Sequence, residues 1–239
     1  MKLVIEDDAD AAGRTVAAIV LGAMLQDRRV NVSLTAGATP VPVYRHLVAA
    51  LRAHPEAYSN VRFYNFDEVP LSASGPGLTM SALREQLYGP AGLADDALRI
   101  LRVDNADEIR ADLRDHGGLD LVLMGLGTDG HFCANMPGTT RFDADVYTFA
   151  IEPTAPWYDE VVAALPPGAD TSAGVVTFGL PMILAARQAV LMVTGAGKAA
   201  TLAAILREPV STHLPATALR LHPNLVLVAD RDAAKEIAP

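Results

Sequence analysis

The chain has 239 residues, of which 51% are hydrophobic and 20% are charged, and its net charge is −9. This composition is typical of a globular protein, and the length suits a single α/β domain over residues 1–239. The sequence contains no lysine-rich or arginine-rich block. Because nucleic acids and anionic membranes need a concentrated basic surface, the sequence argues against both as main partners, but not against a small anionic substrate.

The amino-terminal segment and the cysteine content indicate the cellular compartment. The segment MKLVIEDDAD is acidic where a signal peptide would be basic, and no cleavable apolar segment follows it. The longest apolar run, Val16–Leu25, is too short to span a bilayer. The single cysteine, Cys133, excludes an internal disulfide and suits a reducing environment. These features predict a cytoplasmic protein.

Helix-like and strand-like segments alternate along the first part of the chain. The predicted elements are a helix over Asp8–Arg28, a strand over Asn31–Gly37, a helix over Pro40–His54 with Thr39 as its N-cap, and a strand over Val61–Phe66. The first helix begins with acidic residues and ends with arginines, which is the polarity that a helix dipole favours.

The second part of the chain continues the alternation. It contains a predicted helix over Ala106–Asp115 and predicted strands over Asp120–Gly125, Val175–Leu180, Ala189–Gly195 and Leu225–Asp230. These strands are continuous apolar runs, as expected of strands buried on both faces. Together with the helices between them, they predict a parallel sheet covered on both sides. The irregular segment Thr139–Gly174 is expected to be mobile or to cover the sheet.

Ligands of open parallel sheets bind at the carboxyl ends of the strands, so the strand ends supply the candidate site residues. The first end is TAGATP, at Thr35–Pro40. Its small residues let the backbone approach a ligand, and the helix that follows directs free N–H groups toward it. This arrangement suits an anion, although a tight strand-to-helix turn without a ligand would look similar.

The second end, NFDEVP, places Asp67 and Glu68 directly after an aromatic strand. A carboxylate at a partly desolvated strand end has its pKa raised toward neutrality, so one of the pair is a candidate proton-transferring base. The alternative is that the pair caps a helix or a turn.

The third end, LVLMGLGTDGHFCANMPG at Leu121–Gly138, has two interpretations. Its Gly125-x-Gly127-x-x-Gly130 pattern matches a dinucleotide-binding loop, and Glu152 lies at the distance expected of a ribose-binding acid. However, the Pro-Gly pair that ends this stretch breaks the long helix that such a loop requires. The second interpretation is a loop that presents Asp129 and His131 as an acid/base pair. No other histidine completes a metal-ligand set, so neither a metal nor a cofactor is predicted.

The fourth end, VTGAGKAATLAAIL, contains Lys198 at the start of a predicted helix. It is not a Walker loop, because Met192 stands where the first glycine should be and Ala199 follows the lysine. Lys198 is nevertheless well placed to bind a phosphate. The alternative is a solvated surface lysine.

Taken in order, these four ends resemble the glucosamine-6-phosphate deaminase and 6-phosphogluconolactonase superfamily. The likeness runs from about Val32 to Asp230, through LTAGATPVPVYRHL, FYNFDEVP, LVLMGLGTDGHFCANMPG, GLPMILAARQAVLMVTGAGKAATLAAIL and LHPNLVLVAD. The resemblance implies a three-layer α/β/α fold with a mostly parallel, Rossmann-like sheet and a site for a small-molecule sugar phosphate. It also favours the catalytic-loop interpretation of the third end. An oligomer is compatible with this resemblance.

The resemblance also implies roles for individual residues. Asp67 matches the base that shuttles a proton during aldose-to-ketose isomerisation and loss of ammonia. His131, supported by Asp129, matches the histidine that assists ring opening in deaminases or activates water in lactonases. The residues expected to contact the substrate or its phosphate are Thr35, Gly37, Ala38, Thr39, Glu68, Gly130 and Lys198.

The sequence departs from the deaminase pattern at one position. Deaminases typically carry Asn-Glu-Pro after the histidine, whereas this chain has Asn135, Met136 and Pro137. The loop does not match the Ala-Ser-Leu-Phe-Pro of lactonases either. Arg141 is the only basic residue between His131 and Gly174, and it is the candidate for a second phosphate contact.

Three hypotheses follow from the resemblance and this departure. The first is an amino-sugar phosphate deaminase, and the second is a 6-phosphogluconolactonase. The third is a sugar-phosphate sensor that kept the pocket and lost the chemistry, which Met136 favours and the retained Asp67, Asp129 and His131 oppose.

Overall fold

The computed structural model describes residues 1–72, 75–167, 169 and 171–237. Within these residues the strands are β1 (Lys2–Glu6), β2 (Val30–Leu34), β3 (Val61–Tyr64), β4 (Asp67–Glu68), β5 (Leu98–Arg99), β6 (Leu121–Met124), β7 (Val146–Phe149), β8 (Val175–Phe178), β9 (Gln188–Val193) and β10 (Leu225–Asp230). The α-helices are α1 (Ala9–Met24), α2 (Val41–Ala53), α3 (Leu78–Leu83), α4 (Gly89–Ala91), α5 (Ala106–Asp115), α6 (Tyr158–Ala164), α7 (Leu180–Leu184), α8 (Ala199–Arg207) and α9 (Arg231–Ala234).

Seven strands form the central parallel sheet, in the order β1-β10-β9-β6-β2-β3-β5. Alternate residues of β6, β9 and β10 enter two different apolar clusters: in β6, Leu121 and Leu123 pack with α1 and α2, whereas Val122 and Met124 pack with α5 and α8. Because successive side chains of a strand point to opposite faces, helices cover both faces of the sheet. The expected three-layer α/β/α fold is therefore confirmed.

A second sheet corrects the predicted topology. Strands β4, β8 and β7 form a separate three-stranded antiparallel sheet, so Val175–Leu180 does not contribute to the parallel sheet as expected. A short buried apolar run looks the same in either kind of sheet, because its side chains do not record the direction of its neighbours. The segment Thr139–Gly174, which we expected to be mobile or covering, contributes β7 to this sheet and also contains α6.

Several element ends differ from the prediction. Helix α1 ends at Met24 instead of Arg28, and Asp8 is its N-cap, accepting a hydrogen bond from the backbone N–H of Ala11 at 2.8 Å. Thr39 is not the N-cap of α2, because Pro40 occupies that position without a side-chain capping bond. The predicted ends of α5 and β10 are confirmed. Strand β1 was not predicted.

The strand order places a binding crevice between β2 and β6. On one side of this pair the sheet continues from β2 through β3 to β5. On the other side it continues from β6 through β9 to β10. Loops that leave two adjacent strands in opposite directions open a crevice at the carboxyl ends of those strands. No helix among the described residues is both long and apolar enough to cross a membrane.

A pair of glycines in α1 tests the packing of α1 against α2. A Cβ atom added at Gly13 would lie 2.5 Å from Cβ of Pro42, whereas one added at Gly22 would meet no atom within 4 Å. We therefore expect Gly13→Ala to lower the free energy of unfolding by about 1–3 kcal/mol through overpacking. Gly22→Ala, the matched control, should raise it by about 0.5–1 kcal/mol, because alanine favours a helix over glycine. Urea denaturation measures both, and equal effects would contradict the described packing.

Candidate active site

A cavity of about 550 Å³ lies at the carboxyl ends of the central strands. It brings together all four strand ends singled out from the sequence: the loop after β2, Asp67, the loop after β6, and Lys198. Its lining residues are Thr35, Ala36, Gly37, Ala38, Thr39, Pro40, Phe66, Asp67, Val69, Leu78, Thr79, Ala82, Gly125, Leu126, Gly127, His131, Cys133, Ala134, Met136, Val161, Ala164 and Lys198.

The loop after β2 forms one wall of the cavity. It turns at Gly37, whose φ of +107° lies in the region that favours glycine, and leads into α2. The hydroxyl of Tyr44, one turn inside α2, donates a hydrogen bond to the carbonyl of Thr35 and so ties the loop to the helix. At the start of α2 the N–H of Val41 donates to the carbonyl of Ala38 at 3.3 Å and Pro42 has no N–H, so this wall offers an anion the positive end of the helix dipole instead of a row of free donors.

Lys198 is held in place by the end of β10. The turn before it passes through Gly195 at a φ of +88°, and the N–H of Gly195 donates to both carboxylate oxygens of Asp230, at 3.0 and 2.9 Å. Asp230 also accepts from the N–H of Ala233 at 2.8 Å, which caps α9. The N-cap position of α8 is occupied by Lys198, so the lysine enters the cavity from a rigid helix end.

Asp67 is half-buried, and its carboxyl group lies on the cavity wall. Burial raises its pKa to about 6, against the opposing effects of a hydrogen bond from the Thr79 hydroxyl and of the nearby His131. The Thr79 bond is 2.8 Å long and reaches Oδ1 of Asp67. A carboxyl group with a pKa near neutrality is suited to accept and return a proton.

Glu68 is directed away from the cavity, which corrects its expected role as a substrate contact. It is 3% exposed, and its carboxylate accepts hydrogen bonds from the backbone N–H groups of Val69, Thr79 and Met80, at 3.0, 2.8 and 3.1 Å. The cap interpretation of the Asp-Glu pair therefore applies to Glu68. A Cβ atom at Gly77 would lie 2.4 Å from this carboxylate, so the close approach requires glycine.

His131 is oriented by Asp129. Oδ1 of Asp129 lies 2.7 Å from Nδ1 of His131 and accepts the His131 backbone N–H at 3.0 Å. Burial opposes ionisation of Asp129, but the hydrogen bond from His131 and its charge outweigh burial and hold the Asp129 pKa below its usual value. Because an ionised carboxylate only accepts hydrogen bonds, the proton lies on Nδ1, and Nε2 is left to accept a proton at the cavity.

The glycines of the third strand end shape this loop tightly. A Cβ atom at Gly127 would lie 2.1 Å from Nδ1 of His131, and one at Gly130, where φ is +86°, would lie 2.2 Å from Leu214. No helix follows within the stretch from Gly125 to the start of β7, all of which is described. The dinucleotide interpretation therefore fails, and Glu152 is exposed outside the cavity. Gly130 shapes the turn and does not line the cavity.

Strand β8 joins the two halves of the site. Thr177 pairs across the sheet with Asp67, and its hydroxyl accepts the N–H of Ala134, in the His131 loop, at 3.2 Å. Buried Asn135 donates from its amide to the Phe178 carbonyl at 2.8 Å and accepts the Tyr147 hydroxyl at 3.0 Å. Neither Thr79 nor Thr177 was predicted, because nothing in the local sequence distinguishes them from other threonines.

Cys133 and Met136 add an apolar element to the wall. Cys133 has a φ of +50°, and burial raises the pKa of its thiol well above the usual value, so it is not an activated nucleophile. Met136 is 4% exposed and lines the cavity at the position where deaminases carry glutamate. Arg141 is exposed and lies outside the cavity, with its Nη2 3.6 Å from Oδ2 of Asp143. It is therefore not placed to contact a phosphate in the cavity.

The described residues contain no cluster of three or more histidine, cysteine, aspartate or glutamate side chains that would hold a metal ion.

Comparison with known proteins gives a consistent assignment. A family model described as glucosamine-6-phosphate isomerases/6-phosphogluconolactonase matches residues 6–227. The glucosamine-6-phosphate deaminase of Streptomyces coelicolor is 33% identical over 249 residues, covering 99% of this chain and 93% of that protein. The enzyme of the same name from Geobacillus sp. is 28% identical, covering 98% of this chain and 94% of that protein.

Solved structures agree with the fold. A structure reported as a monomeric glucosamine-6-phosphate deaminase has a TM-score of 0.79 at 23% identity, covering 99% of this chain and 100% of that one. The 6-phosphogluconolactonase of Trypanosoma brucei has a TM-score of 0.75 at 20% identity, covering 99% and 98%. The three-layer fold with its strand-end cavity is thus that of an enzyme superfamily with deaminase and lactonase members. This chain belongs to the glucosamine-6-phosphate isomerase/6-phosphogluconolactonase family, as the four strand ends predicted.

The hydrogen bond from Thr79 to Asp67 generates a prediction that does not depend on the substrate. Thr79→Val keeps the shape of the side chain but removes the hydroxyl that favours the ionised carboxylate. We expect it to raise the Asp67 pKa by about one unit, whereas Thr79→Ser should leave it nearly unchanged. Titration of ¹³C-labelled aspartate by NMR, with Asp67→Asn to assign the signal, measures the shift. Equal pKa values in the valine and serine variants would show that this bond does not act on Asp67.

Proposed function

We propose that the chain is a sugar-phosphate isomerase/deaminase that converts an amino-sugar 6-phosphate, glucosamine 6-phosphate in the first instance, into the ketose 6-phosphate and ammonia. The observation that carries this proposal is that Asp67 and His131 line the same cavity, where desolvation raises the pKa of the Asp67 carboxyl group to about 6. The similarity to the glucosamine-6-phosphate deaminase of Streptomyces coelicolor, at 33% identity, supports the same substrate class.

The phosphate is assigned to the end of the cavity formed by the Thr35–Thr39 loop and Lys198. The amino-terminal end of α2, where the helix dipole is positive, borders this end of the cavity, and the lysine adds a positive charge. A phosphate anchored there leaves carbons 1 and 2 of the sugar to reach Asp67 and His131. Fixing the distal phosphate in this way orients the reacting carbons, and orientation is a large part of the catalysis available to an enzyme.

The proposed reaction uses two proton carriers. Nε2 of His131 assists ring opening by moving a proton from the O1 hydroxyl to the ring oxygen. Asp67 then removes the proton from C2 of the open-chain aldehyde while O1 gains a proton, which gives an enolamine. Return of the proton from Asp67 to C1, with loss of a proton from the nitrogen, gives the imine of the ketose. Water hydrolyses the imine, so that amino sugar plus water yields ketose plus ammonia.

Environment separates the roles of the two aspartates. Burial raises the pKa of Asp67, so it exchanges a proton near neutral pH, whereas the His131 contact lowers the pKa of Asp129, so it remains ionised and orients the imidazole. Two carboxyl groups whose surroundings shift their pKa values in opposite directions commonly divide acid/base work from electrostatic support.

The second candidate function is hydrolysis of 6-phosphogluconolactone, and Met136 favours it. A thioether neither donates nor accepts a proton in catalysis, so the loop lacks the glutamate that deaminases pair with the histidine. In lactone hydrolysis Nε2 of His131 would take a proton from the attacking water, and Asp67 would be dispensable. The two functions therefore place different demands on Asp67.

Ammonia release from glucosamine 6-phosphate tests the proposal. We expect turnover in the native protein, and Asp67→Asn should lower kcat by about 100- to 10 000-fold while changing KM little, because asparagine cannot carry the proton. Asp143→Asn removes an exposed aspartate outside the cavity and should leave kcat unchanged.

Parallel assays on 6-phosphogluconolactone separate the two candidates. Lactone hydrolysis that survives Asp67→Asn but is lost in His131→Asn, with no ammonia released by the native protein, would replace the deaminase by the lactonase. If the protein binds one of the two sugar phosphates but turns over neither, it would instead be identified as a sensor.

A further inference from the structure

Strand β1 leaves an open edge on the central sheet. Among the described residues its only partner in the sheet is β10, so its other edge carries backbone N–H and C=O groups directed outward. Leu3 and Ile5, which lie two residues apart and therefore on one face, are 42% and 40% exposed. An exposed edge strand with apolar side chains is a template for pairing with another strand.

The opposite edge of the sheet does not share these features. It is formed by β5, which is only the dipeptide Leu98–Arg99, and a short edge that carries an arginine resists strand addition. Strand β1 is the longer edge, with five residues in register with β10. The two edges therefore differ in their capacity to accept a partner.

The sequence of β1, KLVIE, is complementary to itself when it is reversed. In an antiparallel pair centred on Val4, Lys2 lies opposite Glu6 of the second strand and Leu3 lies opposite Ile5, so opposite charges pair on one face and apolar side chains pair on the other. Directly opposite side chains of antiparallel strands are in contact, and opposite charges and apolar pairs stabilise the sheet.

Symmetry makes this register specific. In an antiparallel homodimer the twofold axis is perpendicular to the joined sheet and passes between one residue of β1 and the same residue of the second copy. The only allowed registers are therefore those in which one residue of β1 lies opposite its own copy. An axis at Leu3 places Lys2 opposite Val4, and an axis at Ile5 places Glu6 opposite Val4. A parallel pairing would place like charges close together. Only the antiparallel register centred on Val4 satisfies both charges.

We propose that β1 is a homodimer interface, in which the β1 strands of two copies of this chain pair antiparallel around Val4 and join their central sheets into one. Oε1 of Glu6 accepts the hydroxyl of Thr15 in α1 at 2.6 Å, a bond that uses one of its two carboxylate oxygens. Five-residue strands offer few cross-strand pairs, so the dimer is reversible, and its exposed ion pairs make it weaker at high salt.

The interface is independent of the proposed catalytic function. Neither Lys2 nor Glu6 lines the cavity, and the cavity opens at the carboxyl ends of the strands instead of at the β1 edge. Loss of the dimer therefore predicts no loss of turnover, and an inactive protein still tests the interface.

Charge exchange between two variants is the decisive experiment. Sedimentation velocity of the full chain over a range of concentrations should show a monomer–dimer equilibrium. Lys2→Glu and Glu6→Lys, each alone, place like charges opposite each other and should weaken the dimer by about tenfold or more. An equimolar mixture of the two variants should recover it, because every glutamate then faces a lysine. Arg52→Glu, a charge reversal at an exposed position of α2, is the control and should dimerise like the native protein.

A second variant guards against a folding defect. Leu3→Glu changes an exposed side chain and should also weaken the dimer without lowering the melting temperature. A native protein that stays monomeric at the highest concentration overturns the proposal. So does a native dimer that survives both single charge reversals, or one that the mixture fails to restore although both variants are folded, since either result would place the interface on another surface.

Discussion

The pairing of β8 with β4 is the interaction on which the candidate active site depends. Thr177 of β8 lies opposite Asp67, and its hydroxyl also accepts the backbone N–H of Ala134 in the His131 loop. Asp67 follows β3 and His131 follows β6, and these two strands are not neighbours in the parallel sheet, so their ends alone would not fix the separation of the two residues. The small antiparallel sheet supplies that constraint, and buried Asn135 reinforces it by bonding to the carbonyl of Phe178.

Helix caps provide a second level of order around the same groups. Glu68 accepts hydrogen bonds from three backbone N–H groups and so fixes the start of α3. From there, the hydroxyl of Thr79 donates a hydrogen bond to Asp67. Asp230 does the same on the other side of the cavity, where it holds Gly195 and thereby the turn that carries Lys198. Buried carboxylates that do no chemistry therefore position the side chains that are proposed to do it.

The sequence predicted the fold and the four strand ends because both depend on local patterns. Buried strands are apolar runs, and a glycine or a small residue after such a run indicates a close turn, as in the loops that begin at Thr35 and Gly125. Thr79 and Thr177 could not be found in this way, since each acts on a residue far from it in the chain. The role of β8 escaped prediction for the same reason, because strand pairing across a long separation leaves no trace in a four-residue apolar run.

Met136 makes the removal of the C2 proton by Asp67 the central claim, since this step does not need the missing glutamate. The most direct test follows deuterium by NMR in glucosamine 6-phosphate labelled at C2. The native protein should remove the label from C2, and Asp67→Asn should leave it in place. Label that stays at C2 with the native protein, while the sugar phosphate is shown to bind, would contradict the account.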